Sequence, residues 1–321
     1  MIDKTLAHFP IGLFASVMGV AGLTLAWTKA AELGFWWAER LSMVMGWFTS
    51  VLFLSLITIY LLKAMRYPLA VRQEFNHPIK LNFFATIPIG FLLLATVWSS
   101  HHLGVAAILW WVGVTLMIVI TLTTMSSWLH HDHYQMVHLN PAWFIPVVGN
   151  VLVPIAGVRL GQIEISWFFF SIGIVFWLIL MTIVINRLVF HDALPDRLKP
   201  TLFILLAPPA VAFVSYLLLN GGQLDALARV LYYSGLFLAL LLTTNAIRFF
   251  KLPFFVSGWA YSFPVAAIGI ASFRQFEMTG LDAFVWLGWL FLMALTVIVA
   301  YLLYKTSQGL LSGELLRPES A

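Results

Sequence analysis

The chain has 321 residues, of which 62% are hydrophobic and 9% are charged, whereas soluble domains average about 25% charged residues. This composition excludes a water-soluble globular protein and indicates an integral membrane protein. The formal net charge is +4 and cysteine is absent, which excludes disulfides, thiolate metal sites and a cysteine nucleophile.

Ten apolar segments long enough to cross a bilayer follow one another along the chain. In order they cover roughly residues 9 to 28, 37 to 62, 79 to 98, 104 to 128, 143 to 160, 165 to 187, 201 to 220, 226 to 249, 258 to 276 and 282 to 304. We therefore expect a single transmembrane domain over residues 1–321. The first segment is too long for a signal peptide and no cleavage site of small residues follows it, so we expect it to remain in the mature protein.

Proline occurs inside the odd-numbered segments and in none of the even-numbered ones. The odd set carries Pro10, Pro88, Pro146, Pro208, Pro209 and Pro264. A proline inside a helix removes a hydrogen bond and costs about 3 kcal/mol unless neighbours compensate. Irregular backbone at membrane depth is tolerated where it is packed in protein or lines a water-filled cavity. The alternation therefore predicts five helical hairpins, with kinked odd helices around a central pathway and straight even helices outside.

Lysine and arginine are divided unequally between the two sides of the predicted membrane. Twelve lie on the side of the termini, whereas the other side holds Lys29, Arg40, Arg159, Arg229 and Arg274. The positive-inside rule places both termini in the cytoplasm, which requires an even number of spans. We expect the protein to be integral to the plasma membrane, as a bacterial inner-membrane protein in contact with lipid.

The predicted membrane interior lacks ionisable residues near mid-span. A proton-coupled pump normally needs a titratable carboxylate or histidine within the membrane. A pathway without buried charge can still pass anions if hydroxyl and amide donors solvate them and basic mouths concentrate them. This pattern favours a channel or facilitator over a strongly coupled transporter.

Five stretches in the same order give the chain a family resemblance. They are FPIGLFASVMGVAGL at 9–23, FNHPIKLNFF at 75–84, VVGN at 147–150, ALPDRLKPTLFILLAPPA at 193–210 and GWAYSFPVAAIGIAS at 258–272. With them the chain resembles the tellurite-resistance and C4-dicarboxylate transporter family, which includes bacterial TehA and the slow-type anion channels of plant guard cells. The resemblance implies ten helices as five hairpins around a pseudo-fivefold pore, a homotrimer with one pore in each protomer, and anion conduction.

The resemblance also implies that a phenylalanine of the ninth helix plugs the pore, and Phe263 in AYSFP matches that position. The residues themselves support a similar prediction. A bulky ring before Pro264, at a bend of an inner helix, can constrict a pathway and gate it by dewetting. Ordinary packing is the alternative for any one of the 27 phenylalanines.

Other residues near the bends are weaker candidates. Phe14, Phe84, Phe144 and Phe203 are candidate pore-lining residues, and interhelical packing explains them as well. Asn150 can offer an amide to an anion or bond to a neighbouring helix. Lys80 is a candidate for the cytoplasmic mouth, although the positive-inside bias alone accounts for it.

Three further hypotheses compete with a channel. One loop contains four histidines and an aspartate, namely His130, His131, Asp132, His133 and His138. Their spacing matches no closed tetrahedral metal site, so we expect no metal and no cofactor. Whether the loop senses pH stays open. An enzyme is not expected, because the spans contain no catalytic motif. A coupled transporter or exporter of dicarboxylate, sulfite or tellurite is the serious alternative. The expected partners are small anions such as chloride or nitrate, with no nucleic acid.

Overall fold

The structure, a computed structural model, describes residues 6–130 and 134–317. Within those ranges the chain is helical and forms no β-strand. The apolar helices are α1 (Ile11–Glu32), α2 (Trp36–Arg66), α3 (Lys80–Trp98), α4 (Leu103–His130), α5 (Pro141–Gly157), α6 (Ile163–Phe190), α7 (Asp196–Leu219), α8 (Ala226–Thr243), α9 (Val256–Thr279) and α10 (Asp282–Leu311). Nine of these, within the described ranges, are long and apolar enough to cross a membrane, and α5 is shorter.

Burial alternates along the chain in the same way as proline does. The most apolar stretches of α1, α3, α7 and α9 are between 67% and 78% buried, whereas those of the even helices are between 28% and 33% buried. Each odd helix contacts the next odd helix, and α9 contacts α1. The five odd helices therefore form a closed inner ring, with each even helix packed against the odd helix before it.

Every odd helix begins with 3-10 turns and continues as an α-helix. The 3-10 portions that open them are Ile11–Phe14, Lys80–Ala85, Pro141–Trp143, Asp196–Leu206 and Val256–Tyr261. The third residue of the α portion that follows is Pro88 in α3, Pro146 in α5, Pro209 in α7 and Pro264 in α9. The N–H groups in the first turn of an α-helix have no partner within it. Proline at this position gives up an N–H that the α portion itself does not use, so its cost is lower than the cost of about 3 kcal/mol for a proline in an α-helix interior.

Pro10 differs from the other prolines. It precedes the first helical residue, Ile11, and its backbone is extended, with φ −81° and ψ 136°. The prediction that Pro10 lies inside the first helix and kinks it is therefore wrong. Proline suits this position because its ring fixes φ before a helix and no N–H is needed there. The switch from 3-10 to α in this helix, at Phe14 and Ala15, occurs without a proline.

Two predicted spans end earlier than the apolar pattern suggests. Helix α5 is broken into alternating 3-10 and α pieces and ends at Gly157 instead of residue 160. Helix α8 ends at Thr243, and a short helix, Ala246–Phe250, follows. The side chains of Thr244 and Asn245 both donate to the carbonyl of Leu241. The Asn245 N–H bonds to the carbonyl of Leu242, so these side chains satisfy a carbonyl that the end of the helix leaves without a backbone donor.

Two glycines let α1 approach α9 closely. A Cβ placed on Gly22 would lie 2.8 Å from the Cβ of Ala266 and 3.3 Å from the ring of Phe263. A Cβ on Gly19 would lie 2.3 Å from the hydroxyl oxygen of Ser262. Small residues at helix interfaces in membranes allow such close packing. The glycines of α1 therefore fix the position of the first α-helical turn of α9.

Replacing Gly22 with alanine is expected to lower the free energy of unfolding by about 1–3 kcal/mol, because the added methyl group overpacks the contact with Ala266. The double variant Gly22→Ala/Ala266→Gly should recover part of that loss, since it removes the atom that the new methyl group meets. Unfolding in detergent of both single variants and the double variant gives the coupling energy. Additive losses would show that the two residues do not oppose each other.

Candidate functional site

Two cavities lie inside the ring of odd helices. The first has a volume of about 70 Å³ and an almost entirely apolar lining, and we call it the apolar cavity. The second, which we call the charged cavity, has a volume of about 250 Å³ and includes Lys29, Glu32, Arg159 and Arg274 in its lining. Every described residue that lines either cavity belongs to an odd helix or to the residues directly after one. All five odd helices contribute to both cavities.

Three side chains are shared by the two cavities, and we call them the partition. Leu152 of α5, Val211 of α7 and Phe263 of α9 line both of them. Each is buried, and the Phe263 side chain is 9% exposed. An anion that loses water beside these hydrocarbon side chains gains no hydrogen bond in return, so its desolvation is costly. The partition is therefore an apolar wall that the two cavities have in common.

The backbone transitions of the odd helices converge on the apolar cavity. The first α-helical residues of α1, α3, α5 and α7 are Ala15, Thr86, Phe144 and Ala207. All four line this cavity. In α9 the second α-helical residue, Phe263, lines it instead of the first. The shared change from 3-10 to α backbone thus brings equivalent positions of five helices around one space.

The hydroxyl groups at the apolar cavity are already engaged. Thr86 Oγ1 donates to the carbonyl of Phe83, and Ser257 Oγ donates to the carbonyl of Arg197. These protons are therefore not directed at an ion in this structure. An anion in this cavity would therefore depend on accompanying water for its hydrogen bonds.

Charged groups at the other cavity form a compact network. Lys29 Nζ lies 2.7 Å from Glu32 and 2.5 Å from Glu277, and Arg274 lies 2.8 Å from the second carboxylate oxygen of Glu277. Arg159 also lines the cavity and bonds to the hydroxyls of Ser99 and Ser100. The cavity and its ion pairs thus include three cationic side chains and only two carboxylates. The local excess of positive charge raises the concentration of anions near this cavity.

The structure separates the predicted aromatic residues into two groups. Phe263 and Phe144 line the apolar cavity. Phe14, Phe84 and Phe203 are absent from the described linings of both cavities. Phe14 packs edge-on against Phe53 and Tyr60, Phe84 against Tyr60 and Phe75, and Phe203 against Phe249 and Tyr261. These three rings therefore fill gaps between helices.

The polar candidates also lie away from the described cavity walls. The Asn150 side-chain amide donates to Thr121 Oγ1 at 3.0 Å and to the carbonyl of Val147 at 2.6 Å, which ties α5 to α4. Lys80 is the first residue of α3 and is absent from the described linings of both cavities. Among the prolines, Pro208 and Pro264 line the apolar cavity.

The two ends of the histidine loop, His130 and His138, lie within the described residues. His130 ends α4, and its ring nitrogen lies 2.9 Å from the carbonyl oxygen of Ser126. The ring of His138 accepts a hydrogen bond from the backbone of Gln135. His131, Asp132 and His133 lie outside the described residues. The residues within the described ranges contain no group of three potential ligands that could hold a metal ion.

Sequence reasoning missed the other two members of the partition. Leu152 and Val211 are ordinary aliphatic residues in a chain that is 62% hydrophobic, so their chemistry carries no signal. What they share is their position in the backbone. Leu152 and Val211 each follow soon after a switch between α and 3-10 structure, in Gly149–Leu152 and at Ala207. That switch cannot be recognised from the sequence.

A buried ion pair was also missed. Lys63 near the end of α2 is 1% exposed, and its ammonium lies 2.7 Å from Glu74 and 2.8 Å from the carbonyl of Phe9. The hydroxyl of Tyr60 donates to the same carboxylate. Glu74 belongs to a short helix, Pro68–Phe75, which connects α2 to α3. The cluster therefore holds this connection and the start of the chain against α2.

Several known proteins are similar to this chain in sequence. The S-type anion channel SLAH3 of Arabidopsis thaliana is 32% identical over 281 residues, which cover 84% of this chain and 43% of the relative. SLAH2 from the same plant is 30% identical over 290 residues, covering 87% and 55% of the two chains. The tellurite resistance protein TehA homolog of Haemophilus influenzae is 26% identical over 313 residues, covering 94% and 92%. The chain spans about half the length of the plant relatives.

The family comparison covers the whole ring of helices. The profile described as SLAC1, voltage-dependent anion channel, matches residues 8–307, which run from before α1 into α10. The resemblance inferred from the five sequence stretches is thereby confirmed. The chain belongs to the SLAC1 family of voltage-dependent anion channels.

Proposed function

We propose that the protein is a passive anion channel whose pathway runs through the ring of odd helices and is closed by Phe263. The observation that carries this proposal is the shared lining. Phe263, Leu152 and Val211 are the residues common to two cavities that together involve all five odd helices. An aromatic ring at that point forces an anion to lose water without compensation, which makes it a gate.

The proposal includes an architecture and an orientation. Ten membrane-spanning helices, with the shorter α5 as the fifth, form five hairpins around a pseudo-fivefold pore. Both termini face the cytoplasm because Lys and Arg are concentrated on their side. The charged cavity, beside Lys29 near the end of α1, then opens away from the cytoplasm. We further propose a homotrimer in a bacterial inner membrane, with one pore in each protomer.

Charge placement supports passive flux. The three residues that separate the cavities are uncharged, and the carboxylates Glu32 and Glu277 lie at the charged end, paired with Lys29. A proton-coupled carrier needs a titratable group that controls access from the two sides. Here the carboxylates lie to one side of the barrier and are engaged by a cation. We therefore propose that conduction follows the electrochemical gradient of the anion alone.

Current recordings on purified protein in planar bilayers test this function. Under a chloride gradient, the reversal potential should match the equilibrium potential of chloride and stay there when a pH or sodium gradient is imposed. Concentrative uptake of an anion, driven by protons or sodium, would contradict the channel and favour the coupled transporter. Glu277→Gln would then be the variant that abolishes coupling, since Glu277 bonds to both Lys29 and Arg274.

A further inference from the structure

One guanidinium at the charged cavity keeps an unused hydrogen-bonding edge. Arg159 follows α5, and its Nη1 donates to Ser99 Oγ at 3.0 Å and to Ser100 Oγ at 2.8 Å. Nη1 carries two hydrogens, so these bonds use both. The Nε–H and the two hydrogens on Nη2 have no partner among the described residues. Because Nε–H and one Nη2–H point in parallel, they form the edge with which arginine binds two oxygens at once.

Arg159 differs from the other cations in the same lining. Lys29 is bonded to Glu32 and Glu277, and Arg274 is bonded to Glu277. Their positive charges are therefore largely compensated within the protein. Arg159 bonds to hydroxyl oxygens instead, which hold the guanidinium without cancelling its charge. Within the described residues it has no carboxylate at ion-pair distance.

The serines also fix the orientation of the guanidinium. Ser99 is 5% exposed, and its own hydroxyl donates to the carbonyl of Thr96 at 2.8 Å. Its oxygen is thus directed by a helix end and accepts from Arg159. A donor group that is held in place before a ligand arrives loses less conformational freedom on binding. Arg159 is exposed, and the two serines hold its guanidinium in an orientation that leaves its free edge open to a negative group.

We propose that Arg159 forms an anion-binding site in the charged cavity for a planar oxyanion group, such as a carboxylate. The free edge offers two parallel donors that match two coplanar oxygens, which a single spherical halide cannot engage in the same way. The cavity of about 250 Å³ has room for a small oxyanion with several waters, each of which takes about 30 Å³. The site rests on the proposed function only for its place along the pathway, since binding itself requires no flux.

Thermal unfolding of the purified protein in detergent, with sodium formate or sodium chloride at equal ionic strength, tests the site. Formate should raise the unfolding midpoint saturably and at lower concentration than chloride does. Arg159→Lys keeps the charge but loses the parallel donors, so the apparent affinity for formate should fall about tenfold. The chloride response should not change. The matched control is Arg229→Lys, because Arg229 lies in an outer groove between α6 and α8.

A second variant covers the case in which Arg159→Lys does not fold. Ser100 is exposed, and Ser100→Ala removes one anchor while keeping the guanidinium, so formate affinity should fall roughly threefold. Equal stabilisation of the wild type by formate and chloride would overturn the site, as would wild-type formate affinity in Arg159→Lys. Formate binding without measurable current would defeat the proposed channel and leave the site standing. Current without a formate preference would do the reverse.

Discussion

Replacing Phe263 with alanine is expected to raise the single-channel anion current about 10- to 100-fold, because each 1.4 kcal/mol removed from the barrier gives about a tenfold increase in rate. The ring lies where the apolar and charged cavities meet, together with Leu152 and Val211. Removing it leaves space for water to enter the partition, and a hydrated path lowers the dehydration cost of the anion. Recordings in planar bilayers measure the change directly.

The matched control for this substitution is Phe203→Ala. Phe203 lies on another odd helix, α7, and its ring packs against Phe249 and Tyr261 instead of lining a described cavity. Its truncation should lower stability and leave the current of folded channels unchanged. If Phe263→Ala folds normally and conducts like the wild type, Phe263 is a packing residue and the barrier lies elsewhere.

Replacing Glu74 with glutamine is expected to lower the free energy of unfolding by about 3 kcal/mol, because it leaves the ammonium of Lys63 buried without its counter-charge. Lys63 is 1% exposed and Glu74 is 12% exposed, so solvent can do little to compensate. Replacing both partners with apolar residues, as in Lys63→Met/Glu74→Leu, should recover most of the loss. Equilibrium unfolding in detergent micelles measures all three variants.

An exposed pair in the same protein serves as the control. Lys199 and Asp196 lie 2.6 Å apart, with side chains that are 40% and 60% exposed. Asp196→Asn should change the free energy of unfolding by no more than about 0.5 kcal/mol, as is usual for surface ion pairs. Similar losses in Glu74→Gln and Asp196→Asn would mean that burial of Lys63 does not determine its contribution.

Much of the architecture follows from features that sequence alone displays. The alternation of proline identifies the same five helices that are most buried, since a residue without an N–H is suited only to particular places in a membrane helix. The position of Phe263 before Pro264 likewise identified a residue that lines both cavities. In both cases the informative residues are close together in the chain, so their pattern can be recognised without knowledge of tertiary contacts.

The meaning of the prolines could not be predicted in the same way. A proline that kinks an α-helix and a proline in the first turn of an α-helix after 3-10 structure give the same apolar pattern. Pro88 and Pro264 belong to the second kind. Distinguishing the two requires the hydrogen-bond pattern of the preceding residues, which adjacent side chains do not determine.

Tertiary contacts account for the other differences. The sequence neighbours of Lys63 give no sign of its pairing with Glu74, which reaches Lys63 only when the helix Pro68–Phe75 folds back. The unpaired edge of Arg159 is equally invisible, since Ser99 and Ser100 come from a distant connection. Such pairings depend on how separate helices are placed in the ring.

If Phe263 divides one continuous pathway, the two cavities are reached from opposite sides of the membrane, and thiol accessibility measures this sidedness. In this cysteine-free chain, Ala207→Cys lines the apolar cavity and Ala267→Cys the charged cavity, while Leu290→Cys on the exposed face of α10 is the control. A charged, membrane-impermeant thiol reagent should modify Ala207→Cys from the cytoplasmic side only and Ala267→Cys from the opposite side only. Adding Phe263→Ala should open both positions to both sides, with Leu290→Cys unreactive throughout. Modification of both cavity positions from one side while Phe263 is present, or sidedness that persists in Phe263→Ala, would show that Phe263 does not divide the pathway.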